Sequence, residues 1–171
     1  MLLVGVAFAY MNYRNRQMSP PAEQRITTDG GLTVRINYSR PSLRGRLIFG
    51  PEEEDALQPF GVYWRLGANE ATVFEFSEDV SVNDVVIPTG SYGAYAVPGP
   101  DSFKVGINTD WDRWGVSEPD YEKDLVTMMV PIEQLNERVE QFTIRLGETD
   151  KGVKIICEWD DVRFVIPVKE I

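Results

Sequence analysis

From residue 32 onward, polar and apolar residues alternate almost one for one, and this rhythm limits the fold more than any other feature of the chain. Successive side chains of an extended strand point to opposite faces, so a period of two marks a half-buried strand, whereas a helix repeats every 3.6 residues. Leu32, Val34, Ile36 and Tyr38 fall on one face, with Thr33, Arg35 and Asn37 on the other. Phe74 and Phe76 alternate with Val73 and Glu75. Residues 80–82 and 85–87 flank Asn83-Asp84, a pair suited to a tight hairpin turn. Residues 91–97 and 103–107 are parted by the breaker run Pro98-Gly99-Pro100-Asp101, and the last third adds segments at 125–130, 141–146, 153–159 and 162–168.

About nine or ten short strands with turn residues between them predict an all-β fold, a single antiparallel β-sandwich of jelly-roll type. Helix is scarce. Residues 51–57, with Pro51 first and acids behind it, predict one turn, and residues 131–135 predict another. A chain of 171 residues suits one domain. The expected division is an apolar helical segment at 1–16, a linker at 17–24 rich in proline and small residues, and the β-sandwich at 25–171.

Composition then closes off chemistry. There is no histidine, which removes Ser-His-Asp and Cys-His catalysis, the HExxH zinc helix and every histidine-ligated metal. The single cysteine, Cys157, forms no internal disulfide and alternates with Ile155 and Trp159, as a buried apolar cysteine would. No phosphate loop, dinucleotide fingerprint or GxSxG elbow is present, so neither cofactor nor metal is expected. With 27 acidic against 17 basic residues the net charge is −10, which argues against nucleic acid as a partner. That charge is uneven: residues 1–50 hold seven arginines against Glu23 and Asp29, a balance of +5, and the remainder carries −15. A basic end facing an anionic surface and a soluble acidic body fit this asymmetry, as do arginines scattered over unrelated faces.

The amino terminus is a run of apolar residues, Leu2, Leu3, Val4, Val6 and Phe8 among them, closed by Tyr10, Tyr13, Arg14 and Arg16. About twelve helical residues cover ~18 Å, against a hydrocarbon core of ~30 Å. The run is therefore expected to be the end of a longer anchor, an interfacial or partner-packing helix, or a signal remnant. Its tyrosines and arginines suit an interfacial collar. The arginines, taken alone, would place the body in the cytoplasm, and a basic segment upstream would reverse that.

Two segments are dense in polar groups that a plain β-sandwich does not need. Arg40, Arg44 and Arg46 lie within seven residues, punctuated by Pro41 and Gly45, and guanidinium forks bind carboxylate or phosphate bidentately. They could equally pair with this chain's own acids or brace its strands. Trp64, Arg65, Asn69 and Glu70 frame a turn at Gly67-Ala68-Asn69, offering a flat ring, a cation, an amide and a carboxylate to a sugar or small anion. The same residues could form a capped turn with an internal Arg65–Glu70 ion pair. A third stretch, Asn108-Thr109-Asp110-Trp111-Asp112-Arg113-Trp114-Gly115, opens like a calcium loop but has Arg113 where glycine belongs and Pro119 where glutamate belongs. Trp111 and Trp114 there suit an aromatic platform or a cap on the end of the fold. Glu70 with Asp110 or Asp112 is a carboxylate pairing that could serve glycoside hydrolysis, although with 27 carboxylates some converge by chance.

Tyr38-Ser39-Arg40-Pro41-Ser42, Gly45-Arg46, Ile48-Phe49-Gly50 and Trp64-Arg65-x-Gly67-Ala68-Asn69-Glu70-Ala71-Thr72 resemble the domain of unknown function 2911 family of bacteria. Pro88-x-Gly90-x-Tyr92, Asn108 and Trp114-Gly115 resemble its later landmarks, so the likeness covers about residues 24–168. Leu66 stands where the family commonly has threonine, and the acidic run Glu52 to Asp55 looks inserted. The resemblance implies a compact β domain and, as members are mostly exported or lipid-anchored envelope proteins, a body on the extracytoplasmic, periplasmic side, and it implies no reaction. The expected function is thus a non-catalytic, membrane-tethered accessory or scaffolding subunit, with the membrane and integral membrane proteins as partners. The alternative is an envelope module binding a glycan or small anion through Arg40, Arg46, Trp64, Arg65, Asn69 and Glu70; a carboxylate-dependent hydrolase stands behind both.

Overall fold

The computed structural model describes residues 10, 11 and 13–171. The strands are β1 (Pro21–Thr27), β2 (Thr33–Ser39), β3 (Phe49–Gly50), β4 (Gln58–Pro59), β5 (Thr72–Phe76), β6 (Val80–Val82), β7 (Val85–Ile87), β8 (Gly90–Val97), β9 (Ser102–Asn108), β10 (Asp124–Thr149) and β11 (Gly152–Glu170). Nine of them form one large sheet in the order β1-β2-β5-β8-β9-β10-β11-β6-β7. Its strand pairs are antiparallel, while β3 and β4 make a separate two-residue parallel ladder. The protein is therefore all-β.

The long strand β10 shapes the molecule. Its first part pairs with β9 as far as Pro131↔Ser102, and from Ile132↔Phe164 onward it pairs with β11. Register shifts between Gln134, Val139 and Thr143 bend it, as extra residues in a ladder do. Residues 131–135, expected as a helical turn, are strand. Pro131 lacks an amide to donate, and it sits where β10 leaves one neighbour for the next, a place where a sheet tolerates proline. Segments 153–159 and 162–168 are likewise one strand, interrupted only by Asp160 at φ 56°. Proline and small residues had marked 17–24 as linker, yet β1 begins at Pro21 and runs as an edge strand whose alternate residues are half-buried against β2. The Asn83-Asp84 turn closes β6 onto β7 with φ of 51° and 62°, the double positive-φ geometry of a two-residue hairpin. Residues 52–54 form the one turn of 3-10 helix expected near Pro51, ended by Asp55 in the left-handed region.

The alternation foreseen in the sequence becomes one core. Val34, Ile36, Phe74, Phe103, Val105, Ile144, Ile155 and Ile166 are all fully buried in a single cluster. Aromatic rings join the two ladders that share β10. Trp64, bridged to Ala96 of β8, stacks on Trp159 of β11 at 5.8 Å, and Phe103 of β9 meets Phe164 of β11 at 5.2 Å. The Tyr38 hydroxyl of β2 accepts the Ile144 amide of β10 at 3.0 Å. Each such buried aromatic or branched side chain contributes about 1.5–3 kcal/mol.

Candidate functional site

The segment 64–72 leaves the core and returns to β5 through a tight loop. Leu66 and Asn69 hold φ of 54° and 60°, and the Thr72 hydroxyl donates to Leu66 O at 2.6 Å, closing the loop on itself. At Gly67 a Cβ would stand 2.9 Å from Ser39 O, so only glycine allows β2 this close. The loop rests on residues 110–115. Glu70 bridges Trp114, Gly115 N–H donates to Asn69 O at 3.1 Å, and the Tyr63 hydroxyl donates to Gly115 O at 3.2 Å. The 64–72 and 108–115 stretches singled out in the sequence thus pack on each other.

Trp64 requires a correction. It was expected to offer a flat face to a ligand, but its side chain is 1% exposed and lies against Phe49, Phe142 and Trp159. Its indole N–H donates to Gly67 O at 3.2 Å. Strand-like alternation turns it inward with Ala96, and so large an apolar ring stabilises the fold far more in the core than in water.

The arginines separate into two kinds. Arg40 is a brace: its guanidinium donates to Phe142 O at 3.1 Å and to Thr143 Oγ1 at 2.8 Å, tying the end of β2 to β10. Arg44, Arg46 and Arg65 instead line one groove of about 220 Å³ together with Asn69, Met18 and Ser19. Among the described residues none of these three arginines makes an ion pair, and they bond backbone carbonyls instead. Arg46 reaches Leu43 O and Ser42 O, Arg44 reaches Met18 O at 3.3 Å, and Arg65 reaches Asn69 O at 3.1 Å. Burial holds the Arg65 guanidinium below its ordinary pKa, opposed by Tyr63 and assisted by the nearby Arg113 cation. Arg65 and Glu70 do not pair, so the internal ion pair weighed for this turn is absent.

Glu70 faces the other way. Its carboxylate takes Arg16 at 2.5 Å, and the Asn69 amide donates to Ser19 O at 3.2 Å. The stretch leading into β1 is thus fastened to this loop at Arg16 and Ser19, and to residues 43–46 at Met18. Arg16, Glu70, Glu23 and Asn37 line a second, larger groove of about 460 Å³. Residues 10, 11 and 13–18 are helical and exposed, with Tyr10 64%, Met11 58% and Tyr13 63% accessible, and Arg14 is exposed beside them. Leu2, Leu3, Val4, Val6 and Phe8 lie outside the described residues. No helix of the described residues is long and apolar enough to cross a membrane.

The calcium-like stretch serves the fold. Asn108 is buried, and its amide donates to Asp124 Oδ1 at 2.7 Å and Asp120 O at 2.9 Å while its oxygen accepts Asp110 N–H at 2.7 Å. Trp111 and Trp114 are about half-exposed on the same loop. Arg113 between them is half-buried against the Tyr63 ring, 5.5 Å from its centroid, and its Nη2 has no hydrogen-bond partner among the described residues. Asp110 lies beside Arg113 at 4.0 Å and Glu70 beside Arg16, so two of the three carboxylates suggested for hydrolysis, all but Asp112, already face a cation. Cys157 is fully buried, and burial pushes its thiol pKa far up, which leaves it protonated and inert.

Sequence reasoning named Arg46 and Arg65 but passed over Arg44 as a site residue, and it gave Arg113 no role. The alignment of Arg44, Arg46 and Arg65 depends on loop 43–46 meeting loop 65–69 across the fold, which no local spacing encodes. No curated protein and no solved structure matches this chain. The family described as Protein of unknown function (DUF2911) matches residues 19–168, from the root of the amino-terminal segment almost to the end of β11. That match spans most of the 171 residues, and the chain belongs to the DUF2911 family.

Proposed function

We propose that this protein is a non-catalytic, membrane-tethered accessory subunit whose β body, folded as a β-sandwich closed around the bend of β10, is held at an extracytoplasmic membrane surface by its amino-terminal segment. One observation carries this: the helical stretch 10–18 is exposed at every described position, yet its root is fastened to the body through Arg16–Glu70, Arg44–Met18 O and Asn69–Ser19 O. An isolated helix this short is marginal in water. Tyrosines that are about two-thirds exposed gain stability from an interface where rings and cations meet lipid headgroups, or from a partner helix. The apolar residues 2–9 continue the same segment in the sequence. The acidic body behind it stays soluble and offers an acidic surface to partners, and the absence of histidine leaves it without the commonest catalytic base.

The test is co-purification in mild detergent of the native full-length chain and of a chain lacking residues 1–18. Integral membrane proteins are expected with the first and lost from the second; the same partners with both would refute the tether.

A further inference from the structure

We propose that the groove between residues 41–46 and 65–69 binds a phosphate group, carried either by a lipid headgroup or by a free phosphate. Three arginines line it and no aspartate or glutamate does, although acids outnumber bases by ten in this chain. Several arginines elsewhere find carboxylates: Arg35 takes Glu75, Arg138 takes Asp160, and Arg145 and Arg163 share Glu158, while Arg40 is held by β10. The groove arginines do not, and the carboxylate bonded to their loop, Glu140, accepts the backbone N–H of Arg44 rather than a guanidinium.

The donor inventory points the same way. Each guanidinium carries five N–H groups. Arg46 uses Nε and Nη2 on its own loop, Arg65 uses Nη1, and Arg44 uses Nη2, which leaves N–H groups on all three without an acceptor among the described residues. Arg65 is half-buried, and a partly desolvated cation without a counter-charge is costly until an anion supplies one. Trp159, which also lines the groove, is 1% exposed and carries an indole N–H with no partner among the described residues. Planar forks converging from two loops match the oxygens of a phosphate. At about 220 Å³ the groove falls below the ~300–1,000 Å³ of clefts for larger ligands. Its rim includes Met18 and Ser19, so the site lies at the root of the amino-terminal segment, which in a tethered protein is the part of the body nearest the headgroups.

The test compares the full chain with an Arg44→Gln/Arg46→Gln variant, both side chains being exposed, and with Arg25→Gln as a control on exposed β1. Thermal melts in non-ionic detergent are followed against inorganic phosphate. Partition is then measured onto vesicles of phosphatidylcholine alone and of phosphatidylcholine with phosphatidylglycerol. A saturable rise in melting temperature with phosphate in the wild type, absent from the double variant, establishes a free-phosphate site. No phosphate effect, but a fall in the preference for phosphatidylglycerol by roughly fivefold per arginine removed, establishes a headgroup site. If the double variant matches the wild type in both measurements, or if Arg25→Gln lowers the preference as much as the double variant does, the groove is not a phosphate site.

Discussion

Replacing Trp64 by alanine separates a core residue from a surface platform. Its ring is 1% exposed, and its centroid lies 5.1 Å from that of Phe142, 5.4 Å from Phe49 and 5.8 Å from Trp159. Removing a buried tryptophan costs about 3–5 kcal/mol, because transfer free energy is lost and the walls of the cavity relax only in part. Gly67 O also loses its indole donor, and an orphaned buried carbonyl adds to the cost. The expected loss is therefore about 4 kcal/mol, or ~8–16 °C in melting temperature for a chain of this size. Trp64→Phe keeps most of the apolar contact but not the hydrogen bond, and should cost about 1–2 kcal/mol. Urea unfolding of the full chain in non-ionic detergent, followed by far-UV circular dichroism, reads both variants without depending on tryptophan emission. A cost below about 1 kcal/mol for Trp64→Ala would return the ring to the surface and refute the packing described above, since exposed positions rarely exceed about 0.5 kcal/mol.

Three further outcomes are expected. Glu158 is 3% exposed while its partners Arg145 and Arg163 are 55% and 37% exposed, so stripping the partners should hurt more than neutralising the acid. Arg145→Met/Arg163→Met is expected to cost about 2–4 kcal/mol and Glu158→Gln about 1 kcal/mol, read from urea midpoints, and the reverse order would contradict the burial of Glu158. Burial raises the pKa of Tyr38, Tyr95 and Cys157, with the Asp124 carboxylate adding to Tyr95. The unfolded chain then releases protons first on the alkaline side, so stability falls as pH rises above about 8.5 for the thiol and about 10 for the phenols, by up to ~1.4 kcal/mol per pH unit for each group. Urea titrations from neutral pH to pH 11 check the sign, and a flat or rising profile would contradict it. Thiol labelling at pH 8 should leave Cys157 unmodified in the folded chain and modify it fully in urea, and rapid labelling of the folded chain would contradict its burial.

Period-two alternation, read from residues alone, located β2, β5, β8 and β9 to within a residue or two, and Asn83-Asp84 marked the hairpin because its backbone demand is local. The limits of that reading are physical too. Pro20-Pro21 suggested a linker, but proline is tolerated at the first residue of an edge strand, where its missing amide leaves no ladder bond unmade. β10 and β11 each looked like two strands because bends and bulges interrupt the pattern without ending the ladder. Trp64 alternates with polar neighbours as an inward residue should, yet its richness in chemistry drew it into the ligand set. Arg40 and Arg46 carried the same local signal, and only the approach of β10 to one and of loop 65–69 to the other turned the first into a brace and the second into part of a groove. The seating of loop 64–72 on Trp114-Gly115 is likewise tertiary and has no local signal.

The tether is tested most directly by where the body goes when the amino-terminal segment is removed. Among the described residues, the contacts to the body that would be lost are one exposed ion pair, worth about 0–1 kcal/mol, and the Arg44–Met18 O hydrogen bond, while Asn69 keeps Ser19, so a chain beginning at residue 19 should stay folded. Fractionation of cells expressing both chains is expected to show the full-length protein in the membrane pellet and the shortened one, with an unchanged melting profile, in the soluble fraction. A folded, shortened chain that still sediments with the membrane would contradict the account.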